Sequence, residues 1–272
     1  MTIDQILRTA SIDRRDAELL LAYVLGTSRT TLFAHGHDEL SQEHVTQFQV
    51  YAERRRNHEP VAYILGTKDF YGRSFSVRQP VLIPRPSTEA LVDQALIALK
   101  SHQLTSCVQE ADADIIIWSH RLREKTWSDV VDLGTGSGCI AVTLACEVPS
   151  CFIRAIDCDP RCITLAQENA QCYGVSDRLS LQCGDGIEAL QNIRQPFLLV
   201  SNPPYIPSSV MLMPDVALYE SPAALWSGEQ GIDLLTSIVR ACHEHSCCTG
   251  MILECRADQR ALLDSMCYPV TR

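Results

Sequence analysis

The 272 residues are 46% hydrophobic and 21% charged, with a net charge of −10; this sustains a sizeable core and excludes a disordered chain. Residues 1–90 carry 11 basic and 11 acidic side chains, so the whole acidic surplus lies beyond them, which argues against a protein that grips long nucleic acid by its phosphates. Thirteen cysteines in a chain of this length predict free thiols in a reducing, cytoplasmic setting, because the start Met1-Thr2-Ile3-Asp4-Gln5 lacks a basic and apolar leader, and no apolar run approaches the ~18 residues of a membrane span.

Residues 2–56 read as helices. Apolar residues from Ala17 to Leu25 keep helical spacing up to the stop at Gly26, and a second helix runs from Ser41 through Val45, Phe48 and Tyr51 to Arg54-Arg55-Arg56. The β-formers in Val61–Gly66 and Asp69–Val77, bounded by glycine, predict a hairpin. Pro80, Pro84 and Pro86 fix an extended connector, and Ser87 or Thr88 caps a helix through Leu99. Residues 101–128 read as a long irregular insertion around the apolar island Ile115–Trp118. From residue 129 strands alternate with helices: strand 129–133, helix 139–146, strand 151–157, helix 160–173, strands 179–183 and 197–201, helix 232–243 and strand 251–255. That order predicts a parallel sheet with right-handed crossovers. The domains expected are a helical segment 1–60, a hairpin and linker helix 61–100, the insertion, and an α/β domain 129–272.

Two segments carry chemistry. Asp132-Leu133-Gly134-Thr135-Gly136-Ser137-Gly138 joins a strand to a helix, and its glycines let a ligand approach the backbone at the helix start. The spacing is G-x-G-x-G, not the G-x-G-x-x-G of dinucleotide sites, and Asp132 stands two residues before the first glycine. The next strand ends in Asp157, where an open α/β sheet holds a ribose diol. A cationic, hydroxyl-bearing ligand, S-adenosylmethionine, suits both acids. Asp185 and Gly186 close the third strand; Asp185 either meets an adenine amino group or is plain turn chemistry.

Asn202-Pro203-Pro204-Tyr205 follows the fourth strand. Two prolines stiffen the backbone and remove two donors, leaving the Asn202 side-chain oxygen and the Pro203 carbonyl to accept both N–H bonds of a planar NH2 group, with Tyr205 offering a face for stacking. Such a corner orients a weakly nucleophilic amide or aromatic amine beside a methyl donor.

The glycine loop and Asn202–Tyr205 together resemble the class I S-adenosylmethionine-dependent N-methyltransferases that modify DNA adenine, rRNA guanine or protein glutamine. Arg14–Leu20, Glu59–Gly66, Leu82–Glu89, Tyr219–Leu225 and Gly231-Ile232-Asp233 narrow the resemblance to the HemK/PrmC family of release factor glutamine methyltransferases. It implies a Rossmann-like methyltransferase domain joined by a β-hairpin to a small N-terminal helical domain that docks the substrate. It implies S-adenosylmethionine held by Gly134, Thr135, Gly136, Ser137, Gly138, Asp157, Asp185, Gly186 and Asn202. Asn202, Pro203, Pro204 and Tyr205 would hold the glutamine of the Gly-Gly-Gln loop of class I peptide chain release factors, which is methylated on its amide nitrogen (N5). No stable nucleic-acid partner, membrane or metal is expected. The family continues past the last strand into a helix and an antiparallel hairpin, whereas here Ala257–Met266 reads as the helix and the sequence stops at Arg272; a missing edge pair would leave strand groups unpaired, so either the chain is truncated or the edge is handled differently.

Other residues have plainer readings. Arg85 either shapes the site entrance or makes a surface ion pair, and Glu89 suits a helix N-terminus. Arg54–Arg56 reads as a solvated helix end rather than a partner contact. His243, His245, Cys247 and Cys248 match no zinc spacing. Two further functions stay open at this point: a nucleic-acid amino-group methyltransferase, since Asn202–Tyr205 holds adenine equally well, and a catalytically weakened cofactor-binding module.

Overall fold

The computed structural model describes residues 1–101, 114–119, 127 and 129–267. The chain divides into two compact units. The first comprises Met1–Thr67, Val77–Pro80 and Leu212–Glu220. Helices α1 (Ile3–Thr9), α2 (Arg14–Val24), α3 (Arg29–Ala34), α4 (Gln42–Arg56) and α5 (Val61–Leu65) close around Leu20, Leu21, Leu32, Phe48 and Ile64. Thr2, Asp13, Ser28 and Ser41 each cap a helix by accepting a backbone N–H, the ordinary remedy for donors left over in a first turn. Glu18 is buried between Arg14 and Arg29 at 2.7 and 2.6 Å, and those two guanidiniums hold its carboxyl below the usual range. Arg54 pairs with Glu59, Arg55 with Asp16, and Arg56 with Glu53, so the three arginines serve the fold of this unit.

Val61–Leu65 corrects the sequence reading: it is helix, not the first strand of a hairpin. Pro60 starts it and Gly66, at φ 76°, ends it. Burial of Tyr63 and Ile64 outweighs the modest helix penalty of β-branched residues. The hairpin is instead β1 (Thr67–Phe70) and β2 (Arg73–Ser76), turning on Tyr71 and Gly72, both at positive φ.

The second unit comprises Lys68–Ser76, Val81–Met211 and Ser221–Arg272. After α6 (Ser87–Ser101) and β3 (Asp114–Ser119) come β4 (Asp129–Leu133), α7 (Cys139–Glu147), β5 (Phe152–Asp157), α8 (Pro160–Cys172), β6 (Leu179–Cys183), α9 (Gly186–Leu190) and β7 (Phe197–Ser201). The short α10 (Pro214–Ala217), which belongs to the first unit, and α11 (Pro222–Leu225) precede α12 (Asp233–Glu244), β8 (Cys248–Cys255) and α13 (Ala257–Cys267). The sheet order is β3-β8-β7-β4-β5-β6, parallel except for β3. Strands β4, β7 and β8 are buried along their whole length, as expected of a parallel sheet covered on both faces. One core, with Leu91, Leu144 and Ile153, lies on one side; another, with Leu199, Ile238 and Met251, lies on the other.

The stretch 101–128 contributes more than an insertion. Its apolar island is β3, which pairs antiparallel with β8 from Asp114↔Cys255 to Ser119↔Gly250. The edge that the sequence left open beside β8 is therefore covered by a strand from upstream, one of the recognised ways of closing a sheet edge.

Candidate active site

The C-terminal ends of β7, β4, β5 and β6 are consecutive along the sheet. The Asn-Pro-Pro-Tyr corner, the glycine loop, Asp157 and Asp185 follow them in that order, the place where open parallel sheets bind ligands. Asp132 lies opposite Val200 in the ladder. One residue further along each strand, the Ser201 hydroxyl donates to the Leu133 carbonyl at 2.6 Å. Gly134 and Asn202 therefore start from neighbouring strand ends.

The glycine loop is pinned on both sides. The amides of Gly134 and Thr135 donate to the Ile156 carbonyl at 2.8 and 3.1 Å, and that of Gly136 donates to Asp157 Oδ2 at 2.9 Å. Asp157 Oδ1 takes the Asp159 amide at 2.9 Å. Gly134, Gly136 and Gly138 all lie at positive φ, and a Cβ on Gly138 would meet the Ala166 Cβ at 2.9 Å, so α8 packs where only glycine fits. Thr135 and Ser137 are buried. Asp132 is fully buried beneath the loop and accepts the Thr135 hydroxyl at 2.7 Å and the Ala141 amide at 3.2 Å, both on Oδ2. Its Oδ1 has no partner among the described residues. Burial pushes its carboxyl up to about 7 against those two donors, so a cation above the loop would recover charge that the fold suppresses.

The Asn-Pro-Pro-Tyr corner is held from farther away. Asn202 Nδ2 donates to Thr88 Oγ1 at 2.8 Å. The Tyr205 hydroxyl donates to Glu254 Oε1 at 3.0 Å; burial first, and the Glu254 charge second, push that hydroxyl well above the usual tyrosine range, so it stays protonated. Gln259 Nε2 donates to the carbonyls of Tyr205, Gln230 and Gly231 at 2.8, 3.2 and 3.1 Å. Gly231 passes so close that a Cβ there would lie 2.3 Å from the Tyr205 carbonyl oxygen.

At the end of β6, exposed Asp185 caps α9 by accepting the amides of Ile187 and Glu188 on Oδ1. A Cβ on Gly186 would stand 2.3 Å from Leu133 Cδ1, which gives that glycine a packing reason of its own. Glu89 accepts the Tyr71 amide at 2.8 Å and so braces the hairpin. Arg85 acts electrostatically on Tyr205 and Glu254.

Sequence reasoning passed over Asn169, Glu254 and Gln259. Asn169 ties the hairpin to the glycine loop: its Oδ1 accepts the Ser76 amide at 2.9 Å and its Nδ2 donates to the carbonyls of Ser137 and Ser76 at 2.8 and 3.1 Å. Glu254 is an acid at full burial inside a strand. The one signal for it was a charge in the apolar run Met251–Cys255, a rarity that asks for partners.

A twisted parallel sheet with a glycine loop after one strand, an acid after the next, and Asn-Pro-Pro-Tyr after the neighbour on the other side defines the class I methyltransferase fold. Residues 2–66 match the PrmC N-terminal domain and residues 98–213 the methyltransferase small domain. A release factor glutamine methyltransferase of Cereibacter sphaeroides is 35% identical over 88% of this chain and 77% of its own length; one of Geobacter sulfurreducens is 36% identical over 85% and 72%. A bifunctional methyltransferase of Rickettsia prowazekii is 34% identical over 83% of this chain, which spans only 43% of that longer protein. The chain belongs to the release factor glutamine methyltransferase family.

Proposed function

We propose that this protein methylates the side-chain amide nitrogen of the glutamine in the Gly-Gly-Gln loop of peptide chain release factors, using S-adenosylmethionine. The observation that carries the reading is the state of Asn202. Its Nδ2 is engaged by Thr88, and among the described residues nothing donates to its Oδ1; the next residue in sequence, Pro203, adds a carbonyl acceptor on a backbone stripped of two donors. Two such acceptors suit the two N–H bonds of a primary amide. Held there, the amide nitrogen is oriented, and the positive charge it gains during transfer is met by oxygens already in place. A general base is not needed before transfer, because the proton can leave afterwards.

The cofactor would supply the activated methyl group on a sulfonium. Gly134–Gly138, Asp157, Asp185, Gly186 and Asn202 are the residues proposed to hold it. Support comes from the fit: Gly134 is exposed, a Cβ on it would meet nothing within 4 Å, and the unpartnered Asp132 Oδ1 lies beneath the loop. Residues 1–60 are the proposed docking element for the release factor; the exposed Tyr23, Phe33 and Val50 suit a protein surface better than a phosphate backbone. No helix among the described residues is long and apolar enough to cross a membrane.

The test is transfer of labelled methyl from S-adenosylmethionine in the presence of a release factor, DNA or RNA, followed by location of the label. Label on the Gly-Gly-Gln glutamine is expected. Label on a base, or cofactor binding without transfer, would overturn the proposal.

A further inference from the structure

The peptide unit that joins Leu133 to Gly134 opens the glycine loop, and it is held from both sides. Its N–H, on Gly134, donates to the Ile156 carbonyl of β5 at 2.8 Å. Its carbonyl, on Leu133, accepts the Ser201 hydroxyl of β7 at 2.6 Å. The first bond continues ordinary strand pairing, since β4 and β5 stay in register to Leu133↔Ile156. The second does not. The register between β4 and β7 ends at Asp132↔Val200, one residue short of Ser201. On its other side β7 stays paired with β8 through Ser201↔Leu253. Ser201 is thus tied to β8 by strand pairing and to β4 by its side chain.

The place of that bond gives it meaning. From β4 the chain lays β5 and β6 on one side and β7 and β8 on the other. The carboxyl ends of β4 and β7 therefore flank the point where the winding reverses, which is where an open parallel sheet forms its ligand crevice. The backbone past Ser201 is poorly equipped to bridge the gap, because Asn202 is followed by two prolines, which bring no N–H. Ser201 is fully buried, and a hydrogen bond out of bulk solvent is costly to lose.

We infer that Ser201 is a positioning residue: its hydroxyl spans the crevice between β4 and β7 and sets the spacing between the loop proposed to hold the methyl donor and the corner proposed to hold its acceptor. The inference rests on the substrate reading above and deepens it. The one hydroxyl hydrogen is spent on Leu133, so Ser201 acts through the two backbones and not on the reacting atoms. Without it, each segment keeps its own supports, Ile156 and Asp157 for the loop, Thr88 and Gln259 for the corner. Only the distance between the segments is released. The cost then falls on transfer rather than on binding, since a misplacement of about 1 Å between reacting groups costs on the order of 10²-fold in rate.

The test pairs Ser201→Ala in the full chain with a control on the same strand. At the opposite end of β7 the buried Thr249 hydroxyl donates to the Phe197 carbonyl at 3.2 Å, a bond of the same kind away from the crevice, and Thr249→Val removes it. Both variants are expected to melt a few degrees below the parent. Only Ser201→Ala is expected to lower kcat, by about tenfold or more, with S-adenosylhomocysteine affinity by calorimetry and KM for the release factor within about threefold of the parent. Ser201→Thr, which keeps the hydroxyl and suits a strand, is expected to recover most of that loss. A second readout needs no turnover: in crystal structures of the parent and Ser201→Ala, the Cα separation of Gly134 and Asn202 is expected to change by roughly 0.5 Å or more, the tolerance of a productive site. A kcat of Ser201→Ala within twofold of the parent, an equal loss in Thr249→Val, a loss carried by KM or cofactor affinity instead, a Ser201→Thr as slow as Ser201→Ala, or an unchanged separation would each overturn the inference. If the parent protein transfers no methyl group to a release factor, the substrate reading falls, and the separation still decides whether Ser201 sets the spacing.

Discussion

The two strand-end segments that meet on the sheet edge are built in opposite ways. The loop after β4 is a local device: Asp132 below it, Thr135 and Ala141 within ten residues, and Asp157 at the end of the adjoining strand. The corner after β7 is assembled from a distance, by Thr88 from α6, Glu254 from the end of β8 and Gln259 from α13. A loop that must present backbone to a ligand needs small residues and a carboxylate close by in sequence. A corner that must aim one side-chain oxygen needs walls, and walls come from whichever elements pack there. The proposed cofactor side is thus written in consecutive letters, whereas the proposed substrate side depends on the completed fold.

That contrast can be broken by substitution. The largest effects are expected from a matched pair. Asn202→Ala should cut methyl transfer on the order of 10²–10³-fold, the cost of losing one preorganised polar group at a site of developing charge, while cofactor affinity by calorimetry falls less than about tenfold. Gly138→Ala should do the reverse, reducing cofactor affinity together with thermal stability. Positive φ and the Ala166 contact put its cost at about 1–3 kcal/mol. If Asn202→Ala abolished cofactor binding, or Gly138→Ala left it intact, the two segments would not be separable as described.

A smaller effect sharpens the local side of the comparison. In the cofactor-free protein the Asp132 carboxyl is raised to about 7 from an ordinary value near 4. Between those values the folded chain keeps a proton that the unfolded chain has released. Stability contributed by this group is therefore highest below about pH 4, declines as pH rises to about 7, and is level above that. Asp132→Asn keeps an oxygen for Thr135 and Ala141 and removes the titration. Urea midpoints at pH 4.5 and 7.5 are expected to differ less in the variant than in the parent. An unchanged difference would show that Asp132 is ionised in the folded state across the range.

The same contrast explains what the sequence disclosed. Strands 129–133 and 197–201 were legible to the residue, as were the glycine loop and the Asn202–Tyr205 corner, because burial on both faces and positive-φ turns restrict composition locally. Val61–Leu65 misled because five residues are too few for periodicity to separate helix from strand; packing of Tyr63 and Ile64 decided it. Ile115–Trp118 was visible as an apolar island, yet its place beside β8 is a long-range pairing that no local pattern encodes. Asn169 and Gln259 stand in ordinary helix contexts, and their work is known only from the backbone groups that the fold brings to them; Glu254 showed itself only as a charge in an apolar strand, without its partners.

The central claim is that one sheet edge clamps a primary amide between Asn202 and Pro203 beside the ligand of the glycine loop. A crystal structure with S-adenosylhomocysteine and a Gly-Gly-Gln peptide tests it most directly. The account predicts the glutamine NH2 donating to Asn202 Oδ1 and the Pro203 carbonyl, with its nitrogen facing the cofactor sulfur and the cofactor lying along Gly134–Gly138. A glutamine amide bound elsewhere, or a cofactor seated away from that loop, would contradict it.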